Sequence, residues 1–244
     1  CNEKDFEIVI QSLSKINCKG VNLTIPFKEK GLNYCNKISL VAEKIKAVNT
    51  LKPDGNGKWN GINTDVEGLI YPLKKLNLVD KQAIILGSGG AARSAIQGLI
   101  NLKMSKIIVI SRNQIALKSL LNDFKDENLI EGVSLNNPNI LSLINTMDLI
   151  INTTPVGMMK NPNDKEALPF GNNFWTSLNS KTIIYDLIYN PQETSLLSHC
   201  RKKGCHTING MKMLIAQGAK SLSYWTDGLE IPFEIMEEAI KKHL

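Results

Sequence analysis

An apolar run from Gln82 to Leu86 ends in Gly87, Ser88, Gly89, Gly90, Ala91 and Ala92, and the dozen residues that follow have helical spacing. Few arrangements restrict a fold as tightly. Gly87 permits a tight turn, Gly89 lets backbone approach a pyrophosphate, and Ala92 lets helix and strand pack closely. The first N–H groups of such a helix lack partners within it and suit phosphate oxygens. A G-x-G-x-x-A pattern placed after a strand and before a helix therefore implies a bound dinucleotide. The neighbouring sequence agrees. Lys106 to Ile110, Asp148 to Ile151 and Thr182 to Leu187 are β-rich apolar runs, as strands covered on both faces require, with helical stretches at Ala91 to Leu102 and Gln114 to Phe124. The expectation for 65–210 is an α/β, Rossmann-like doubly wound parallel sheet domain.

Which dinucleotide is bound should be decided at the end of the second strand, where an acidic residue would accept the ribose 2′-OH of NAD and repel the 2′-phosphate of NADP. This chain has Ser111, Arg112 and Asn113 there. A guanidinium at that point can stack on adenine and clamp a phosphate with paired hydrogen bonds, so the expected cofactor is NADP. Its expected contacts are Gly87, Ser88, Gly89, Gly90, Ala91, Ser111, Arg112 and Asn113.

The first 64 residues read as a smaller α/β unit. Phe6 to Ile16 has helical spacing, Gly20 to Ile25 is a strand stopped by Pro26, and Glu29 to Lys46 reads as one helix. Val48 to Leu51 and Lys58 to Asn60 flank Pro53, Asp54, Gly55, Asn56 and Gly57, a hairpin-turn composition. A helix from Thr64 to about Leu76 leads into the nucleotide domain. Two helices, Met211 to Tyr224 and Pro232 to His243, close the chain and are expected to complete the first unit over 211–244. That unit reads as an N-terminally incomplete substrate domain, because the chain opens at Cys1 and meets a helix without the strand expected before it.

Several function classes are excluded by composition. With 43% hydrophobic content over 244 residues, the chain can bury a real core. No apolar run approaches the roughly 20 residues that a membrane helix needs, and no basic stretch precedes an apolar one at the start. A cytoplasmic setting with no membrane partner is expected. The five cysteines are odd in number and widely spaced, which reads as free thiols. Net charge is +6, yet the lysines are scattered with no aromatic interleaving, so nucleic acid is not the expected partner. A mild positive field instead draws phosphorylated and carboxylated ligands. His199, Cys200, Cys205 and His206 lack the paired spacing of a structural zinc site and read as helix-end packing, so no metal is expected. Met158, Met159, Met211 and Met213 read as pocket wall and core filler.

Lys28 sits just beyond a strand end, with Thr24 on the strand, and Asp65 falls near the start of the helix that leads to the nucleotide domain. Oxidising an alcohol removes its O–H proton as hydride leaves carbon, and reducing a ketone returns it. A lysine held by an aspartate can shuttle that proton; residue type alone does not say which of the two carries it.

The motifs GVNLTIPFK at 20–28, AVNTL at 47–51, GINTD at 61–65 and GSGGAARSA at 87–95 are followed by NTTPVGM at 152–158, YDLIYNPQET at 185–194 and NGMKMLIAQG at 209–218. In these, and in their order, the chain resembles shikimate dehydrogenase from about Gly20 to the C-terminal helix. The resemblance implies reversible NADPH-dependent reduction of 3-dehydroshikimate to shikimate in chorismate and aromatic amino acid biosynthesis, with Lys28 and Asp65 as the catalytic pair. It implies substrate contacts from Thr24, Asn49, Tyr189 and Gln217, and backbone contacts to the nicotinamide end from Leu187 and Gly210. Asn and Gln amides both donate and accept, as a vicinal diol needs.

Two departures stand out. The family opens with a strand and a Ser-x-Ser segment that holds the substrate carboxylate, and this chain begins downstream of it; either the chain is a fragment of a longer protein or carboxylate binding is impaired. After Arg112 the family often has Thr and a basic residue three positions later, where this chain has Asn113 and Ala116, with Lys118 nearby. The alternatives are a quinate/shikimate dehydrogenase of broader specificity and a non-catalytic ligand-sensing domain on the same scaffold. The expected assembly is a monomer or homodimer.

Overall fold

The computed structural model describes residues 1–16, 18–158, 171–176 and 178–242. The chain divides into two compact units, Cys1–Gly68 with Ile215–Leu244, and Leu69–Leu214.

In the first unit the elements are α1 (Phe6–Lys15), β1 (Val21–Asn22), α2 (Phe27–Lys30), β2 (Cys35–Ile38), α3 (Leu40–Ile45), β3 (Thr50–Pro53), β4 (Trp59–Ile62) and the start of α4 (Asp65–Ile70). Its sheet has the order β1-β3-β4-β2. The pairs β1–β3 and β3–β4 are antiparallel, and β2 runs parallel to β4. Against this sheet lies a core of Phe6, Ile10, Leu23, Ala42, Val48, Leu51 and Trp59. The buried Trp59 indole donates to the Ile10 carbonyl at 3.1 Å, which fixes α1 on β4.

The helix expected over Glu29 to Lys46 is not one helix. After α2 the chain makes a 3-10 turn, Gly31–Tyr34, then enters β2, and α3 begins afresh. Two signals outweigh the apolar spacing. Ser39 is extended and accepts from the Ala42 amide at 3.3 Å, a helix start in the middle of the segment. Gly61 lets β2 lie close on β4, since a Cβ there would stand 2.7 Å from Cys35 Sγ.

The second unit alternates strand and helix: β5 (Gln82–Leu86), α5 (Gly90–Asn101), β6 (Lys106–Ser111), α6 (Gln114–Asp123), β7 (Ile130–Ser134), α7 (Ile140–Asn145), β8 (Leu149–Asn152), β9 (Ile183–Asp186), α8 (Ser195–Lys202) and β10 (His206–Ile208). The six strands lie in the order β10-β9-β8-β5-β6-β7. All are parallel. Ile84, Leu86, Ile108, Ile110, Ile150 and Ile184 are buried on one side of it. From β5 the chain steps outward through β6 and β7, then returns to the other side of β5 with β8. The strand order therefore reverses between β5 and β8, and the carboxyl ends of those strands form the crevice where open α/β sheets bind ligands. A buried ion pair, Arg93 Nη2 to Asp123 Oδ2 at 2.7 Å, ties α5 to α6.

Helix α9 (Met211–Trp225) and α10 (Phe233–Lys241) follow, and the unit boundary falls within α9. Within the first unit, the Trp225 indole donates to the Leu51 carbonyl at 2.9 Å and so anchors the end of α9 on β3. His243, expected at the end of the last helix, lies outside the described residues. Among those residues no helix is long and apolar enough to cross a membrane.

Candidate active site

Lys28 and Asp65 are distant in sequence, and the small sheet brings them together. Val48 N donates to the Lys28 carbonyl at 2.9 Å, which holds the short helix α2 beside the β3 segment, while Asn49 N donates to Ile62 O at 3.1 Å and ties that segment to β4. Asp65 then opens α4, where the helix dipole favours a carboxylate. The outcome is an ion pair of 2.7 Å between Lys28 Nζ and Asp65 Oδ2, with side chains 14% and 6% exposed.

The second carboxylate oxygen is also held. Asn49 Nδ2 donates to Asp65 Oδ1 at 3.0 Å. The amide cannot turn over without loss, because its Oδ1 accepts the Thr64 backbone N–H at 2.8 Å. Gln217, on α9, places Oε1 3.4 Å from Asn49 Nδ2 and from Thr64 Oγ1. Lys28, Asp65, Asn49 and Gln217 thus converge, whereas Thr24 is exposed at the turn before α2, its carbonyl accepting from Phe27 N at 2.7 Å.

Beneath the pair lies a layer of hydroxyls that the sequence did not single out. Thr50, Thr64 and Ser221 are fully buried or nearly so. Thr50 Oγ1 lies 2.8 Å from Ser221 Oγ, Thr64 Oγ1 lies 3.2 Å from it, and Asn22 Nδ2 donates to Thr50 Oγ1 at 2.9 Å. Thr50 Oγ1 donates in turn to Asn49 Oδ1 at 3.1 Å, so the layer holds the amide that holds Asp65. The threonines lie inside quoted motifs, but only the fold reveals Ser221 as their partner.

In the second unit, Gly87 has φ +108°, and a Cβ there would stand 2.8 Å from Thr153 Oγ1, so the turn requires glycine twice over. Its N–H donates to Ile110 O at 2.8 Å. Ser88 Oγ and Ser111 Oγ are 2.9 Å apart, which joins the glycine turn to the end of β6. Gly89 precedes α5, and a Cβ on it would meet nothing within 4 Å. Open space over a helix start fits the phosphate cradle of a dinucleotide, with Gly90 and Ala91 in its first turn. Arg112 is exposed just past β6. Asn113 has a local task besides any cofactor contact, since its Oδ1 caps α6 by accepting the Ala116 amide at 3.0 Å.

Leu187 and Gly210 are neighbours: Gly210 N donates to Ile188 O at 2.9 Å, and a Cβ on Gly210 would lie 2.0 Å from Leu187 O. Tyr189 is half-buried on the same loop after β9. Cys200 and Cys205 belong to the main core of the sheet, and burial pushes the Cys200 thiol up to about 12. Met213 is buried and Met158 exposed, while Met159 lies outside the described residues.

Known proteins carry the same pattern. Residues 1–51 match the shikimate dehydrogenase substrate binding domain, 72–159 the shikimate / quinate 5-dehydrogenase family, and 210–241 the shikimate 5'-dehydrogenase C-terminal domain. A shikimate dehydrogenase (NADP(+)) of Prochlorococcus marinus subsp. pastoris is 59% identical over 244 residues, covering 100% of this chain and 85% of that protein. The chain belongs to the shikimate dehydrogenase family. Among solved family structures, a shikimate dehydrogenase in complex with NADP+ is similar at TM-score 0.84 and 32% identity, covering 100% of this chain and 83% of that one. The shikimate 5-dehydrogenase of Thermus thermophilus, in complex with NADP(H) and shikimate, is similar at TM-score 0.80 and 28% identity, covering 100% and 86%.

Proposed function

We infer that this chain is an NADP-dependent shikimate dehydrogenase, an oxidoreductase that interconverts 3-dehydroshikimate and shikimate in aromatic biosynthesis. The observation that carries the chemistry is the 2.7 Å ion pair of Lys28 and Asp65. In the reducing direction the substrate carbonyl oxygen becomes an alkoxide and takes up a proton. Lys28 Nζ holds protons to give, and Asp65, ionised, only accepts. Lys28 is therefore the donor at that oxygen, and Asp65 with Asn49 keeps the ammonium on one rotamer. In the oxidising direction the same nitrogen receives the hydroxyl proton. Thr24, Asn49, Tyr189 and Gln217 are the substrate's proposed hydrogen-bonding partners.

Bound NADPH supplies the hydride. We assign its pyrophosphate to Gly87, Ser88, Gly89, Gly90 and Ala91, its adenosine 2′-phosphate side to Ser111, Arg112 and Asn113, and its nicotinamide end to the backbone of Leu187 and Gly210. The first unit, 1–68 with 215–244, is accordingly the substrate and catalytic domain, and the second, 69–214, the NADP domain. Five free cysteines suit a reducing cytoplasm, where we place the protein as a monomer or homodimer.

The test is nicotinamide absorbance with shikimate or quinate and with NADP+ or NAD+. The proposal expects kcat/KM highest for shikimate with NADP+. Comparable values for quinate would favour the broader dehydrogenase, and no turnover with any pair would favour a ligand-sensing role.

A further inference from the structure

The carboxyl end of β9 buries a charge that the proposed chemistry does not use. Asp186 is fully buried. Its Oδ1 accepts from Asn152 Nδ2 at 3.0 Å and from the Ile188 backbone N–H at 3.2 Å, and its Oδ2 accepts from the Thr194 hydroxyl at 2.7 Å. These donors come from three places. Ile188 is the second residue of the loop after β9, and Thr194 closes that loop as the cap of α8, accepting from Leu197 N at 3.3 Å. Asn152 ends β8, and its Oδ1 accepts from the Thr154 amide at 3.0 Å and the Thr154 hydroxyl at 2.7 Å. The intervening Thr153 in turn bonds Leu86 O at 2.7 Å and backs the turn at Gly87.

One carboxylate thus clamps both ends of loop 187–194 and joins it to the loop after β8, at the crevice of the sheet. The loop it closes carries Leu187 and Tyr189, and the loop's Ile188 carbonyl holds Gly210. An apolar replacement would strand three donors; a carboxylate alone can accept from all of them at once.

We propose that ionised Asp186 is a positioning residue for cofactor binding: it holds loop 187–194 in the shape that receives the nicotinamide end of NADP(H). This rests on assigning Leu187 and Gly210 to that end. Burial raises the Asp186 carboxyl to about 6, against the lowering effect of its three donors. The clamp therefore weakens by protonation just below neutrality. Among the described residues, the titratable group acting on it from the helix packed above is Cys200 on α8, neutral throughout that range because its thiol stands at about 12. Its strand neighbour Tyr185 is likewise pushed up by burial and stays neutral.

The experiment compares NADPH dissociation constants of the unsubstituted chain and Asp186→Asn by cofactor fluorescence from pH 5 to 8, with melting temperature recorded for each. Taking the ratio of the two constants cancels the titration of the cofactor's own 2′-phosphate. The expected ratio is about tenfold above pH 7, the scale of one lost charge-assisted hydrogen bond, and it falls towards unity by pH 5 as the native carboxylate itself becomes neutral. A ratio near unity at every pH, or a raised ratio that does not change with pH, overturns the proposal. Should Asp186→Asn not fold, Thr194→Val, which removes one donor, is expected to weaken NADPH binding severalfold with Thr194→Ser restoring it; equal binding by all three overturns it. Failure of the unsubstituted chain to bind NADPH would instead defeat the assignment of the cofactor site, so the two failures are separable.

Discussion

Gly89→Ala separates the role of the glycine turn in folding from its role in binding. Gly89 has φ −91° and ψ −169°, extended backbone open to any residue, and a Cβ built on it meets nothing within 4 Å. Folding should therefore tolerate alanine, and the smaller entropy of the unfolded chain adds about 0.4–1 kcal/mol of stability. The empty space is where the account puts the pyrophosphate. A methyl there blocks close approach to the first N–H groups of α5, and each charge-assisted bond lost costs about 1.5–3 kcal/mol. Loss of one such bond weakens binding by roughly tenfold to a hundredfold. NADPH fluorescence titration gives the affinity, and a thermal melt gives the stability. Binding of NADPH by Gly89→Ala within twofold of the unsubstituted chain, or a loss of affinity that comes only with loss of folding, would show that the pyrophosphate does not lie against Gly89.

Other consequences can be measured separately. Arg112→Ala should raise the dissociation constant for NADPH about tenfold more than that for NADH, because stacking on adenine is common to both cofactors and only NADPH carries the 2′-phosphate; equal losses for both cofactors would remove Arg112 from the phosphate site. Asp186 also predicts a stability trend, since its folded value of about 6 lies above the ordinary 3.8. Between those values the folded chain holds more protons than the unfolded one, so this group's contribution to stability falls as pH rises through the window and is flat above it. The full span is roughly 3 kcal/mol. Urea unfolding should therefore show the stability difference between Asp186→Asn and the native chain moving in favour of the variant from pH 4 to 7; a difference that stays constant with pH would contradict the buried charge.

The large sheet is legible in sequence because its central strands are covered on both faces. Ile84, Ile108 and Ile150 sit in runs with no polar alternation to confuse them with surface. The edge strand β7 is not legible, for the converse reason: Ile130, Glu131, Gly132, Val133 and Ser134 are mixed in polarity and half exposed. Strand β2 is hidden within an apparent helix, since Leu32, Cys35 and Ile38 fit helical spacing and the capping Ser39 lies inside the pattern. At the site, Lys28 and Asp65 are readable because each stands in a motif of its own. Ser221 is not, because its meaning comes from Thr50 and Thr64, reached only when α9 folds back on the small sheet. Asp186 reads as a polar strand end; three donors around a buried carboxylate are visible only in three dimensions.

The central claim is that Lys28 delivers the proton. The direct measurement is the turnover number of Lys28→Ala for NADPH-dependent reduction of 3-dehydroshikimate, with NADPH affinity measured alongside. The expected result is a loss of roughly a hundredfold to ten-thousandfold in kcat with cofactor affinity unchanged. A turnover number equal to that of the unsubstituted chain would contradict it.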